Sequence, residues 1–346
     1  MSFNKILIRW YSNNKRHLPW RETTDPYKIW LSEIILQQTQ VKQGLPYYEA
    51  FIKSFPSVFD LAKADENTVL KLWQGLGYYS RARNLHSAAK YVVNELNGVF
   101  PSNYKDLLKL KGVGDYTASA IASICFNENT AVVDGNVYRV LSRYFGISTP
   151  INTTKGVKEF KTLAQRVMDT RQPADYNQAI MEFGAIQCTP KNPDCSVCPF
   201  NNSCVALQKN VINELPVKLK AAKPKKKYFN FLVFISEDGK ILLEKRVGKG
   251  IWQNLYQFPL IETPKKITLK RFESLVKEHP KLKNQSFELR LYNEEPIIHK
   301  LSHQHLHTTF YIVSVETLDN GIPKEKINAY PVPILIGNFI ETFNFN

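Results

Sequence analysis

Two carboxylates have neighbours that suit them to acid–base or charge-stabilising chemistry. Asp134 precedes Gly-Asn at a predicted helix start, where capping bonds and the positive helix end would hold it still and ionised. Glu33 lies among bulky apolar residues of another predicted helix, where burial would raise its pKa and let it keep a proton near neutral pH. The alternatives are a structural N-cap at 134 and an exposed surface glutamate at 33.

A Gly-Val-Gly turn stands upstream of Asp134 and directly before a helix of small residues. It is formed by Gly112, Val113 and Gly114. Glycine permits positive φ and close backbone approach, and free N–H groups at a helix start bind anions. The tripeptide is common in turns, so its position is what makes it a candidate phosphate-binding element.

Four of the five cysteines fall in one short segment with the spacing C-x6-C-x2-C-x5-C: Cys188, Cys195, Cys198 and Cys204. Thiolates at such intervals bind one compact soft-metal centre, and the spacing fits either a zinc ion or an iron–sulfur cluster. The pattern does not indicate a disulfide-stapled secreted domain. Cys125, on an apolar helix face, is interpreted as a buried small residue.

Length and composition indicate about two globular domains. The 346 residues are 43% hydrophobic and 22% charged, and the net charge of +15 favours a polyanionic partner, although a protein that is merely basic is the alternative. No apolar run approaches the ~20 residues that cross a bilayer, and the N-terminus lacks a signal-peptide pattern. A cytoplasmic protein without membrane contact is therefore predicted.

The apolar periodicity predicts a helical domain, a linker and an α+β domain, at residues 1–212, 213–227 and 228–346. The linker holds six lysines and two prolines. Helices are predicted at Phe3–Asn14, Pro26–Thr39, Lys42–Phe55, Ser80–Leu96, Tyr104–Lys109, Asp115–Phe126, Gly135–Phe145, Gly156–Met168, Pro173–Gln187 and Leu269–Glu278. Strands are predicted at residues 228–236 and 240–246, which form a hairpin, and at Leu255–Ile261, Ser286–Leu291, Ile297–Ser302 and Thr308–Glu316.

Several of these motifs together resemble the endonuclease III and MutY-type DNA glycosylases. The cysteine spacing at 188–204, after the helix that contains Met181-Glu182-Phe183-Gly184-Ala185, is similar to that family's [4Fe-4S] loop. The Gly-Val-Gly turn resembles its helix-hairpin-helix motif, with the family's aspartate downstream at position 134. The resemblance implies a mainly α helix-hairpin-helix DNA glycosylase domain that carries a [4Fe-4S] cluster.

Two further features resemble the MutY-type branch. SEIILQQT is similar to its SE-x-x-LQQT block, in which the glutamate, here Glu33, protonates the departing adenine. Position 116 is Tyr116, where strand-cleaving lyases of the family carry a Schiff-base lysine. The resemblance implies a monofunctional base-excision repair enzyme that removes adenine mispaired with 8-oxoguanine or guanine. A bifunctional endonuclease III-like lyase and a non-catalytic iron–sulfur DNA-binding protein are the alternatives.

The same resemblance implies roles for other positions in the helical domain. Arg21, Trp20 and Glu182 would line the adenine pocket, and Asn136 would support catalysis with Tyr116. Four residues would wedge into the duplex or touch the opposite base: Gln38, Thr39, Leu76 and Tyr78. Packing of Leu76 in the core is the alternative, but we expect it at an exposed loop tip because glycines flank it.

The C-terminal part resembles the Nudix-like domain of MutY-type enzymes. Gly250-Ile251-Trp252 with residues 256–259 is similar to its GLW…WEFP segment, and the sequence lacks the glutamate-rich box of a Nudix hydrolase. Ser302 and His303 match two residues of the Phe-Ser-His motif that reads 8-oxoguanine, whereas Leu301 departs from it. The implied partner is double-stranded DNA with A:8-oxoguanine or A:G mispairs, bound by a monomer that is nucleoid-associated if bacterial.

Overall fold

The computed structural model describes residues 2–220, 222–282 and 285–345. It divides into two compact units: Met1–Lys63 with Asn84–Lys220, and Ala64–Arg83 with Ala221–Asn346. The first unit therefore differs from the predicted 1–212 domain, because residues 64–83 bond to the C-terminal part through Gln253, Asn254, Tyr330 and Val332. The division at Lys220 falls inside the predicted linker.

The described part of the N-terminal sequence is helical, as predicted. Its helices are α1 (Phe3–Asn14), α2 (Pro26–Leu36), α3 (Val41–Ser54), α4 (Val58–Lys63), α5 (Glu66–Leu72), α6 (Ser80–Leu96), α7 (Tyr104–Leu107), α8 (Asp115–Phe126), α9 (Gly135–Phe145), α10 (Thr154–Val167), α11 (Pro173–Glu182) and α12 (Val205–Gln208), with a π-helical turn at Phe183–Gln187 and a 3-10 turn at Pro19–Arg21. Helices α4, α5 and α12 were not predicted. None of the helices in the described ranges is long and apolar enough to cross a membrane.

Helix α2 is buried along its length and lies at the centre of the first unit. Asp25 caps it by accepting from the backbone N–H of Tyr27 at 2.9 Å, and Pro26 supplies the preset first-turn φ. Side chains from Tyr27 to Ile35 are buried all round the helix apart from Lys28. The helix ends at Leu36 rather than at Thr39, because Gln38 adopts a left-handed φ of 55° that a helix cannot include.

The second unit is built on one mixed β-sheet. Its strands are β1 (Lys225–Ser236), β2 (Lys240–Ile241), β5 (Leu260–Thr263), β6 (Phe287–Leu291), β7 (Ile297–Lys300), β8 (Gln304–Val315) and β9 (Ile322–Pro323), and a separate pair joins β3 (Glu244–Lys245) to β4 (Tyr256–Gln257). Strands β1 and β8 pair in parallel over their full length, from Lys225 opposite Gln304 to Ser236 opposite Val315. The predicted hairpin is confirmed only at Ile235 opposite Ile241.

Helices cover both faces of this sheet. Phe310 and Tyr311 of β8 point to opposite faces, since side chains alternate along a strand. Phe272 of α13 (Leu269–Lys277) stacks on Tyr311 at 3.9 Å between ring centroids, and Phe339 of α14 (Ile334–Thr342) stacks on Phe310 at 4.3 Å. These contacts confirm the predicted α+β class of the C-terminal part.

Candidate functional site

Glu33 is an acid buried within α2. Glu33 is 8% exposed, and burial raises the pKa of its carboxyl to about 7. A hydrogen bond from Tyr116 and the charge of Arg21 lower that pKa, whereas the negative charge of Asp134 raises it. Burial outweighs the opposing interactions, so Glu33 holds a proton at a pH where an ordinary glutamate has lost it.

Asp134 caps α9 and is fixed by three donors. One carboxylate oxygen accepts from the backbone N–H groups of Asn136 at 2.9 Å and Val137 at 2.8 Å, and the other from Asn136 Nδ2 at 2.8 Å. Burial raises the pKa of Asp134 above its usual value, although these bonds and the charge of Arg139 lower it. The predicted cap is confirmed. The pKa of Asp134 is nevertheless raised overall, so capping alone does not set the ionisation of this carboxyl.

One cavity of about 1140 Å³ brings the two carboxylates together. Tyr116, in the first turn of α8, lies with its hydroxyl 3.1 Å from Met181 Sδ and also bonds to Glu33. The volume suffices for a nucleoside extruded from a duplex. Of the residues predicted from the sequence, the cavity is lined by Trp20, Arg21, Glu33, Gln38, Thr39, Gly112, Gly114, Tyr116, Asp134, Asn136 and Glu182.

Glu182 forms a double ion pair at the wall of this cavity. Its carboxylate accepts from Arg16 at 2.8 and 2.5 Å and from Arg21 at 2.9 and 2.7 Å. Burial raises the pKa of Glu182, but the bonds from Arg16 and Arg21 outweigh it and bring the pKa to about 2. Sequence reasoning missed Arg16, which had no signal of its own because its partner lies far along the chain.

The Gly-Val-Gly turn has the backbone that the sequence predicted. Gly112 has a φ of 83°, and a Cβ there would lie 2.8 Å from Asn84 Cβ. Both the backbone conformation and the lack of space therefore require glycine at this position. Val113 is buried and anchors the turn by donating from its N–H to the Leu110 carbonyl at 3.0 Å. Gly114 is exposed and caps α8, which leaves the first N–H groups of that helix open to an anion.

Arg139 joins the cap of α9 to the segment that follows α11. Its guanidinium donates to Asn136 Oδ1 at 2.8 Å, to the Gly184 carbonyl at 2.5 Å and to the Cys188 carbonyl at 2.7 Å. The two backbones nearly touch, since a Cβ on Gly184 would lie 2.7 Å from Asn136 Cβ. Arg139 was not predicted, and its place one turn after Asp134 is the signal that could have found it.

The four clustered cysteines line a second cavity. Cys125 is not among the residues that line it. Arg143 holds their loop by donating to the carbonyls of Thr189 at 2.7 Å and Pro190 at 3.1 Å, and its charge lowers the pKa of Cys188 against the rise that burial causes. Across residues 2–220, 222–282 and 285–345, no three His, Cys, Asp or Glu side chains form a group that could hold a single metal ion. Four thiols around one cavity beside a buried arginine fit an iron–sulfur cluster, and these cysteines would supply its thiolate ligands.

The remaining predicted residues lie in the second unit. Tyr78 is 48% exposed at its loop tip, with a left-handed φ of 47°. The expected exposure of Leu76 is wrong: it is 5% exposed, because its N–H bonds back to the Trp73 carbonyl at 3.1 Å and turns the loop inward. Ser302 and His303 are exposed in the turn between β7 and β8, with Ser302 Oγ 3.4 Å from His303 Nδ1.

Replacement of Glu182 by glutamine should lower the free energy of unfolding by about 3 kcal/mol, because two arginines lose a buried partner. The pKa of about 2 lies below the usual 4.5, so this stabilisation is present above about pH 4.5 and is lost as the pH falls towards 2. Urea unfolding between pH 3 and pH 7 measures both effects. Glu262→Gln, which breaks the pairs of an exposed carboxylate with Lys227 and Arg246, is the control and should cost less than about 1 kcal/mol. Equal losses of unfolding free energy in the Glu182→Gln and Glu262→Gln variants would contradict a strong buried ion pair at Glu182.

Three family models match the chain. Residues 31–166 match the HhH-GPD superfamily base excision DNA repair protein, and residues 230–342 match the NUDIX domain. Residues 188–204 match the iron-sulfur binding domain of endonuclease III, which identifies the cysteine centre as an iron–sulfur cluster of the [4Fe-4S] type rather than zinc.

Curated relatives and solved structures agree with these matches. The chain is 36% identical to an adenine DNA glycosylase of Buchnera aphidicola (from Schizaphis graminum) over 92% of this chain and 89% of that protein. The Homo sapiens adenine DNA glycosylase is 45% identical over 60% of this chain and 40% of that protein. A thermostable thymine-DNA glycosylase structure, 32% identical, covers 60% of this chain and 95% of its own with a TM-score of 0.56. The chain therefore belongs to the adenine DNA glycosylase family.

Proposed function

We propose that this protein excises adenine from double-stranded DNA where adenine lies opposite 8-oxoguanine or guanine, as a monofunctional, monomeric enzyme of base-excision repair in the cytoplasm or nucleoid. The observation that carries the proposal is one cavity with two carboxylates in different surroundings, Glu33 buried with a pKa of about 7 and Asp134 bonded to three donors. The names of the relatives support adenine as the excised base.

The two carboxylates divide the chemistry between them. Glu33 is buried in an apolar setting that raises its pKa to about 7, so it is the acid that protonates the departing adenine. Asp134 is surrounded by donors, which favour its anion, and the charge of Asp134 raises the pKa of Glu33. The anionic Asp134 stabilises the oxocarbenium-like sugar that forms as the base leaves, in the manner of two-carboxylate glycosidases.

The adenine and the DNA backbone are held by the surroundings of this pair. Arg21 and Glu182, locked by their ion pair, form a polar wall of the adenine pocket beside Trp20. The open N–H groups at Gly114 bind a phosphate, and Gln38 and Thr39 contact the bases around the flipped nucleotide. Tyr78, exposed at its loop tip, enters the duplex. Asn136 supports catalysis by donating to Asp134.

A phenol at position 116 favours hydrolysis over strand cleavage. Tyr116 faces the cavity where a lyase needs an amine for a Schiff base, so water is the final acceptor. The exposed Lys42 also lines the cavity and carries an amine of the kind that a lyase reaction needs.

Adenine release from one duplex with A opposite 8-oxoguanine tests the function directly. We expect free adenine, with strand breakage only after alkali, because an abasic site is left intact. An efficient covalent adduct after borohydride treatment would show a lyase instead. Tight binding of the mispair without adenine release would show a non-catalytic DNA-binding protein.

Replacement of Glu33 by glutamine should lower single-turnover adenine release at least ~100-fold, since the proton donor is lost, while leaving duplex binding intact. The wild-type rate should fall as the pH rises above about 7, because the protonated acid disappears there. The glutamine variant should lack that fall. Near-normal release by the variant, or a flat wild-type profile from pH 6 to pH 9, would exclude Glu33 as the acid.

Ser302→Ala tests how 8-oxoguanine is read. In this proposal the exposed hydroxyl, beside His303, bonds the oxidised base, so its loss should reduce the preference for 8-oxoguanine over guanine about fivefold. The ratio of single-turnover rates on the two mispairs measures it. Ser314→Ala, another exposed serine of the same unit, serves as the control. A ratio unchanged by Ser302→Ala would remove this role.

A further inference from the structure

We propose that Gln74 and Tyr79 are positioning residues that clamp the loop Gly75–Tyr78, called here the wedge loop, onto Val332, so that the C-terminal unit itself presents the residue that unstacks the DNA. The proposal rests on the proposed function, in which Tyr78 enters the duplex. Neither residue touches the flipped base. They act on the loop between them.

The clamp consists of hydrogen bonds to both backbone groups of Val332. Gln74 Oε1 accepts from the Val332 N–H at 3.3 Å, and the Tyr79 hydroxyl donates to the Val332 carbonyl at 3.3 Å. The same hydroxyl accepts from the Gly75 N–H at 3.4 Å. Val332 is 2% exposed and sits between two prolines, which have no N–H of their own. The two ends of the wedge loop are thus fixed to one buried point, which keeps them close together.

Bonds further out fix the elements on either side of the loop. Helix α5 is held where Glu66 accepts from Asn254 Nδ2 at 2.6 Å and where Lys71 Nζ lies 3.4 Å from the Tyr330 carbonyl. The start of α6 is held where Arg83 donates to the Gln253 carbonyl at 2.8 Å. Residues 64–83 lie inside the range that matches the glycosylase family model, yet structurally they belong to the C-terminal unit.

The interior of the loop is organised around one buried cation. The Arg81 guanidinium donates to the carbonyls of Leu76 and Gly77, each at 3.2 Å, and lies 5.7 Å from the centre of the Tyr78 ring. Trp73 Nε1 donates to the Gly77 carbonyl at 3.0 Å. The loop carbonyls therefore point inward and the Tyr78 ring is left at the outer end.

The backbone of this loop needs such support. Gly75 and Gly77 have φ values of 96° and 75°, which glycine accepts, but Tyr78 has a φ of 47°, which is strained for a residue with a Cβ. A strained tip persists only where its surroundings hold it. Because the clamp comes from the unit that also carries Ser302 and His303, reading of the opposite base and unstacking of the duplex are performed by one compact unit.

Tyr79→Phe removes the hydroxyl and leaves the ring, and Gln74→Leu removes the acceptor as a second, independent variant. Single-turnover adenine release opposite 8-oxoguanine should fall about fivefold in each. A duplex with 2-aminopurine beside the target adenine reports unstacking by its fluorescence, and this signal should fall as well. Tyr27→Phe is the control: it loses a buried hydroxyl that bonds to the Phe55 carbonyl at 2.7 Å in the first unit, and it should change neither readout.

The outcomes separate this proposal from the proposed function. A wild-type protein that raises 2-aminopurine fluorescence but releases no adenine would refute the glycosylase activity and leave the clamp testable by fluorescence alone. Wild-type signals in both Tyr79→Phe and Gln74→Leu would overturn the clamp. An equal loss in the Tyr27→Phe control would also overturn it, since the effect would then be one of general stability.

Discussion

The site depends on keeping one carboxyl, that of Glu33, buried and without a full ionic partner. A nearby arginine would normally neutralise such an acid, and Arg21 lines the same cavity. Glu182 prevents this by holding the Arg21 guanidinium through two bonds, with Arg16 on its other side. The charge of Arg21 lowers the pKa of Glu33, but burial outweighs it, whereas the bonds from Arg16 and Arg21 give Glu182 its low pKa.

Much of the helical site follows from local sequence rules. The Asp134 cap, the positive φ at Gly112 and the burial of Glu33 each depend on neighbours within a few positions, so their patterns can be read directly. Arg16 could not be found in this way, because its role comes from a partner on a distant helix. The inward turn of Leu76 also escaped prediction, since flanking glycines allow either direction and Arg81 decides which one is adopted.

The boundaries between units show a further limit of sequence reasoning. Residues 64–83 read as part of a continuous helical domain, and nothing local reveals that Val332 and Gln253 bind them. The lysines 225–227 read as linker, yet they pair with Gln304–Leu306 as the first residues of β1. In both cases hydrogen bonds to residues far along the chain decide the structure of the segment. Amino-acid composition indicates whether a segment suits contact with solvent, but it does not show which segment it pairs with.

The π-helical turn at Phe183–Gln187 has a consequence for how this chain tolerates change. The Cys188 N–H bonds to the Phe183 carbonyl at 2.7 Å, five residues back, so the turn is wider than the α-helix that precedes it. Glu182 at its start faces the carboxylate cavity and Cys188 at its end faces the cysteine loop. Insertion or deletion of one residue here would rotate one of these side chains away from its site. The length of this segment is therefore constrained more strictly than the identity of most residues within it.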